Sequence, residues 1–169
     1  RAKDIPTFEE EILQYKKHGL EYFAFWDWHD AMAPLVKKHG ITPQIWKIAS
    51  SPASGTQEEK VVASAASILP LVEKTKELGL KLGIYNHGGW SGEPENMVAV
   101  CRYLREKHGA EHVGIVYNFH HGHEHIDGFS QALNVMKPYL LCLNLNGMNA
   151  GAQPKILPIS QGKFETQMI

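Results

Sequence analysis

Four of the chain's ten histidines fall within six residues, His120, His121, His123 and His125, in the stretch EHVGIVYNFHHGHEHID from Glu111 to Asp127. The stretch begins as an apolar strand and ends polar, and chemistry concentrates where loops leave a rigid scaffold. Imidazoles at i and i+2 can point the same way from extended backbone. Neutral imidazole is a ligand for zinc, iron, nickel or copper, which makes His121 with His123 the candidate metal pair. With an unperturbed pKa of about 6.5, imidazole is also suited to moving protons near neutral pH. The competing reading is a solvated, His-rich loop.

Elements that could position these groups are legible on either side. Helical patterns end in glycine at Lys17-His18-Gly19, Lys38-His39-Gly40, Glu77-Leu78-Gly79 and Lys107-His108-Gly109. Glycine takes the left-handed conformation just past a helix, and Lys or His in the last turn suits the helix dipole. His18, His39 and His108 therefore read as structural. Thr7 with Glu10 and Thr56 with Glu59 fit the capping box. Pro94 fits a first helical turn after Glu93, Asp127 fits the cap of a helix carrying Phe129, Leu133 and Met136, and Pro70 predicts a kink or break in the 56–78 pattern.

The predicted strands are Tyr22–Trp28, Gln44–Ala49, Lys81–His87, Val113–His120, Leu140–Asn146 and Ile156–Ile159. Their alternation with helices implies βαβ units and a parallel sheet. The expected fold is a (β/α)8 TIM barrel, incomplete at both ends with about six strands present, spanning 1–169 as one partial domain. An open doubly wound sheet is the alternative, without a Gly-rich phosphate loop after the first strand to support it.

Strand alternation separates scaffold from site. Val113, Ile115, Tyr117 and Phe119 make a bulky face, leaving Gly114, Val116, Asn118 and His120 on the other. Leu141, Leu143 and Leu145 oppose Cys142, Asn144 and Asn146, while Gly83, Tyr85 and His87 share the inward face of the third strand. The inward set collects Asn, Tyr and His at strand C-terminal ends, where barrel enzymes place their chemistry. Asparagines converging there suit a substrate's hydroxyls, and the competing reading has them bonding one another. Asp27, His29 and Lys47 lie at neighbouring strand ends as candidate binding groups, with Asp27 or His29 also able to act as acid or base. Lys47 reads either as the partner of an anionic group or as a residue of the barrel rim. Trp90, beside Gly88-Gly89, is the expected stacking contact, whereas Trp26 and Trp46 read as packing.

With 17 basic and 18 acidic residues the formal net charge is −1, and no basic run marks a nucleic-acid partner. No apolar run approaches the roughly 18 residues of a membrane span. Cys101 and Cys142 suggest no disulfide framework. The chain opens at Arg1 without methionine and ends at Ile169 within a further helical pattern, as expected of a piece of a longer polypeptide. Cytoplasmic location is the default expectation, with an export signal left open.

Three motifs, Gly83-Ile84-Tyr85-Asn86-His87-Gly88-Gly89, Val116-Tyr117-Asn118-Phe119-His120-His121 and Leu143-Asn144-Leu145-Asn146, are joined by a closing Ile156-Leu157-Pro158-Ile159-Ser160-Gln161-Gly162. In these the chain resembles the xylose isomerase-like TIM-barrel superfamily, which includes sugar-phosphate isomerases and epimerases and a DNA-repair endonuclease branch, from about Tyr22 to Glu165. The resemblance implies a divalent metal held at strand ends by carboxylates and histidine. This chain departs from that pattern. Tyr85-Asn86-His87 stands where a Glu-Asn-His motif supplies a glutamate, Asn118-Phe119-His120-His121 where Asp-x-x-His supplies an aspartate, and Asn144-Leu145-Asn146 where His-x-Lys follows. Neutral amides and phenols are poor ligands for a hard divalent ion, so either a histidine-rich metal site replaces the usual one or the pocket works without metal.

By resemblance, the first functional expectation is a sugar isomerase- or epimerase-like enzyme acting on a small carbohydrate or polyol. His87 and His121 would be the acid/base pair, and Asp27, His29, Lys47, Tyr85, Trp90, Asn118, His120, Asn144 and Asn146 would hold substrate. The alternatives are a non-catalytic carbohydrate-binding barrel and a metal-dependent glycoside lyase or hydrolase built on the histidine cluster.

Overall fold

The computed structural model describes residues 2–149, 151, 153 and 156–162. Five strands, β1 (Ala24–Trp26), β2 (Gln44–Lys47), β3 (Leu82–Tyr85), β4 (Val113–Asn118) and β5 (Leu140–Asn144), alternate with helices. These are α1 (Phe8–Lys17), α2 (Met32–His39), α3 (Gln57–Glu77), α4 (Pro94–His108) and α5 (Phe129–Met136). All four strand pairings are parallel, and the spatial order is the sequence order, β1-β2-β3-β4-β5. A doubly wound sheet reverses its strand order at a switch point; this one runs in a single direction, as an arc of a TIM barrel does. Its five strands make about half of an eight-stranded barrel.

The expected sixth strand is not formed. Within Ile156–Ile159 only Leu157 pairs, in an isolated antiparallel bridge to Gly147, with Gly147 N–H to Leu157 O at 2.8 Å and the return bond at 2.7 Å. Pro158 has no N–H with which to extend a ladder, and a 3-10 turn over Ile159–Gln161 ends the segment. The helical pattern at the C-terminus lies outside the described residues. The five strands are also shorter than expected, all at their C-terminal ends and β1 and β3 at their starts as well.

The helix punctuation is largely as expected. Gly19, Gly40, Gly79 and Gly109 all have φ between 58° and 67°, and the Thr56–Glu59 capping box is complete in both directions. Pro94 occupies the first turn of α4, and α3 runs undivided through Pro70. Two caps are not formed. Thr7 has helical angles (φ −94°, ψ −9°) because a 3-10 turn over Ala2–Thr7 leads directly into α1, and it makes no side-chain cap bond. Asp127 is displaced from the cap of α5 by Gly128, which has no side chain to offer.

The core lies between one face of the sheet and the helices. Ile45, Leu82, Ile84, Ile115 and Tyr117 are at most 1% exposed and belong to a single apolar cluster with residues of α3, α4 and α5. The opposite face carries Trp46, Gly83, Tyr85, Gly114 and Val116. A Cβ on Gly83 would lie 2.4 Å from a Val116 methyl, and one on Gly114 would lie 2.4 Å from the Tyr139 carbonyl oxygen. The strict alternation expected of β5 breaks at its first turn of register. A bulge pairs Ile115 with Leu140 but Val116 with Cys142, and the extra residue swings Leu141 onto the Gly114 side, away from Leu143.

Candidate functional site at the ends of β3 and β4

Where β3 and β4 end, the open face and the C-terminal loops meet, and the polar residues are gathered there by a hydrogen-bond network centred on Asn118. Its side-chain Oδ1 accepts the His120 N–H at 2.9 Å, and its Nδ2 donates to the Tyr85 hydroxyl. Its carbonyl oxygen accepts the N–H groups of His121 (3.1 Å) and Gly122 (3.2 Å). One residue therefore organises the turn that carries the first two histidines of the cluster.

That turn replaces the extended backbone expected for the histidines. The strand stops at Asn118, and His123–His125 form a 3-10 turn, so i, i+2 pairing across a strand does not apply. The rings converge by folding back. His121 packs against His87 with ring centroids 4.3 Å apart and an interplanar angle of 45°; His120 lies 4.6 Å from His121. His125 Nε2 is 3.2 Å from a Glu93 carboxylate oxygen. His87, His121, His123 and His125 line one cleft of about 320 Å³ with Glu93 and Glu124.

The wall beside this cleft is aromatic. Tyr85 makes an edge contact with His121 at 5.8 Å, a perpendicular contact with Trp26 at 4.6 Å and a stacked contact with Trp46 at 6.0 Å. Trp26 is 50% exposed, and neither tryptophan belongs to the helix-facing core. The register puts both on the face away from the helices, Trp26 pairing with Trp46 and Trp46 with Gly83. Trp46 packs there against Phe23 and Tyr85, as expected, while Trp26 stays half-exposed.

The other candidate residues divide. Asn144 is brought alongside Asn118 as its register partner, and its carbonyl accepts the Phe119 N–H at 2.9 Å. Asn146 turns back on its own loop, donating to Gly147 O at 2.8 Å. Asp27 and Lys47 are paired at 2.7 Å at the ends of β1 and β2. Asp27 holds a left-handed backbone, φ 62°, a conformation Asp tolerates better than most residues. Burial raises its carboxyl, but the bonds from Lys47 and the Trp28 N–H outweigh that and leave it below its ordinary value. His29 accepts the Ala31 N–H at 3.3 Å ahead of α2 and packs against Phe8. Trp90 is held by its indole N–H to Gln57 at 3.2 Å, and Asn96 bonds its carbonyl at 2.8 Å. His39 bonds Glu9 at 2.6 Å, in keeping with a structural role.

Two residues at the site were not singled out from sequence. Glu93 was read only as the residue before a helix. Asn86 is 1% exposed and continues the core-facing series Leu82, Ile84. A polar side chain at a core position needs partners, and that was a usable signal.

The donor set does not fit the carboxylate-rich metal site implied by the resemblance. Tyr85 and Asn118, two of its three replaced ligands, are bonded to each other. Among the described residues, no three His, Cys, Asp or Glu side chains are disposed to hold a metal ion. None of the described helices is long and apolar enough to cross a membrane.

No family model and no curated protein matches the chain, but solved structures do. A D-tagatose 3-epimerase-like protein superposes with a TM-score of 0.70 at 12% identity, covering 98% of this chain and 69% of that one. The probable 3-DHS dehydratase AsbF of Bacillus anthracis, involved in petrobactin synthesis, gives 0.67 at 15% identity over 96% and 70%. The apo form of the 3-keto-D-glucoside 4-epimerase YcjR of E. coli gives 0.59 at 14% identity. It is covered over 64% of its length by 82% of this chain. The likeness to all three is one of fold.

Proposed function

We propose that this chain carries the proton-transfer site of a sugar isomerase- or epimerase-like enzyme acting on a small carbohydrate or sugar-like polyol. The observation that carries the reading is the His87–His121 pair, 4.3 Å between ring centroids, at adjacent strand ends beside an aromatic wall. One imidazole nitrogen takes the proton from the carbon next to a carbonyl. The C–H electron pair becomes the C=C bond of an enediolate, and the carbonyl π electrons move to its oxygen. The protonated imidazole, or its neighbour, returns the proton to the other face or the adjacent carbon, so the step is redox-neutral. Amide groups of the Asn118–Asn144 row supply N–H donors for hydroxyls and for the developing oxyanion. Half-exposed Trp26, backed by Tyr85, offers an aromatic face to the C–H patches of a sugar ring. The neutral groups Tyr85, Asn118 and Asn144 at the implied ligand positions do not suit a hard divalent ion.

The test is deuterium wash-in from D2O, followed by NMR, with the full-length protein and a panel of D-tagatose, D-fructose and a 3-keto-glucoside. Exchange at the carbon next to the carbonyl is expected, and His121→Gln should reduce it by about 10²–10⁴-fold, the usual contribution of an acid/base group. Binding without exchange in any sugar of the panel would overturn this reading in favour of a carbohydrate-binding barrel, which the neutral replacements Tyr85, Asn118 and Asn144 would also suit. Stoichiometric metal in the purified protein, lost in a His121→Ala, His123→Ala variant, would instead favour the metal-dependent lyase or hydrolase.

A further inference from the structure

We infer that Asn86 is the positioning residue of the His87–His121 pair, an assignment that rests on the acid/base reading above. Asn86 sits one residue past the end of β3, at 1% exposure, directly before His87. Its side chain reaches across to β4 and continues the ladder that the backbone has left. Asn118 N–H donates to Asn86 Oδ1 at 2.6 Å, and Asn86 Nδ2 donates to Asn118 O at 3.0 Å. The main chain adds a longer bond, Asn86 N–H to Val116 O at 3.4 Å.

This two-point bond fixes both hydrogen-bonding groups of the residue on which the histidine turn hangs. The carbonyl that Asn86 holds is the one that receives the His121 and Gly122 N–H groups. On one side, then, Asn86 is covalently next to His87; on the other, it is one residue removed from the backbone of His121. A planar amide is the group that can donate and accept along one edge at once. Asp, Leu or His at this position would each lose at least one of the two bonds. The buried amide has no role toward solvent, and its bonds all lead to the two strand ends that present the imidazoles. It acts through them and touches no reacting atom.

The experiment compares Asn86→Ala and Asn86→Asp with the wild type in the full-length protein, using two readouts. The first is the nuclear Overhauser contact between the ring protons of His87 and His121, which reports the pairing without any substrate. The second is the separation of kcat from KM for deuterium wash-in. The wild type should show the contact. In Asn86→Ala the contact should be lost, with kcat down ten- to a hundredfold and KM within about threefold, since misplacement of a reacting group is felt in the transition state. Asn86→Asp keeps the acceptor for Asn118 N–H but sets a second oxygen against Asn118 O, so it should weaken the contact and lower kcat, by less than Asn86→Ala. If the alanine variant does not fold, Asn86→Asp carries the test, and an unweakened ring contact with wild-type kcat in that variant would overturn the assignment. An intact ring contact with wild-type kcat in Asn86→Ala, or a loss confined to KM, would overturn the assignment. If the wild type shows no wash-in, the ring contact alone decides the positioning role, and the acid/base reading falls separately.

Discussion

The two faces of β3 and β4 are held by different physics. On the helix-facing side Leu82, Ile84, Ile115 and Tyr117 are buried in a continuous apolar cluster, and position follows from non-directional packing. On the other side Tyr85 and Asn118 are placed by directed hydrogen bonds and ring contacts, with a cleft opening beyond them. The first arrangement tolerates exchange among apolar side chains of similar volume. The second depends on which atom donates and which accepts, so small chemical changes there should act on chemistry before they act on folding.

Substitutions can break that contrast. Ile115→Ala on the packed face should be the most damaging, lowering the free energy of unfolding by about 2–5 kcal/mol in urea titrations. A cost below about 1 kcal/mol would mean the helix layer is looser than its burial implies. Gly114→Ala on the open face should cost less, about 1–3 kcal/mol. The added methyl would meet the Tyr139 carbonyl oxygen at 2.4 Å, and backbone cannot step aside as a flexible side chain can. Wild-type stability for this variant would show that the sheet is free to relax at the β4–β5 bulge.

The smallest effect lies at the seam between α3 and β4. His112 bonds Thr75 Oγ1 at 3.0 Å and Val72 O at 3.1 Å. Desolvation is the main cause holding its pKa below 6.5. The folded protein thus favours the neutral ring. As pH falls below 6.5 the unfolded chain takes up the proton first, so the stabilisation is complete above 6.5 and is lost toward the lower, folded pKa. Urea midpoints at about pH 5 and about pH 7.5 should differ more in the wild type than in His112→Gln. An equal pH dependence in the two would remove His112 as its source.

The same contrast explains what could be read before the structure was known. The strand and helix order, the four glycine stops, the Thr56 capping box and the packed face of β4 all follow from local periodicity and capping chemistry, which one sequence displays. The candidate residues were legible as a list, and Tyr85, His87, Asn118, His121 and Asn144 lie close together. Its construction was not. Whether histidines after Asn118 continue a strand or fold back depends on the carbonyl of Asn118 accepting two turn N–H groups, a choice that residue types leave open. A large indole resembles a core residue, so residue type alone does not show that Trp26 and Trp46 lie on the face away from the helices. Their face is set by register, Trp26 pairing with Trp46 and Trp46 with Gly83 on the next strand. The bulge that turns Leu141 likewise arises from register between strands. The missing cap at Thr7 arises from the 3-10 turn that precedes it.

The proposed function requires His87 and His121 to act as one unit in proton transfer. A double-mutant cycle on deuterium wash-in, with His87→Gln, His121→Gln and the combined variant in the full-length protein, tests it most directly. Groups that work together are strongly non-additive, so the combined variant should be within about tenfold of the worse single variant. Losses that multiply would show two independent residues, and unchanged exchange in either single variant would place the chemistry elsewhere in the molecule.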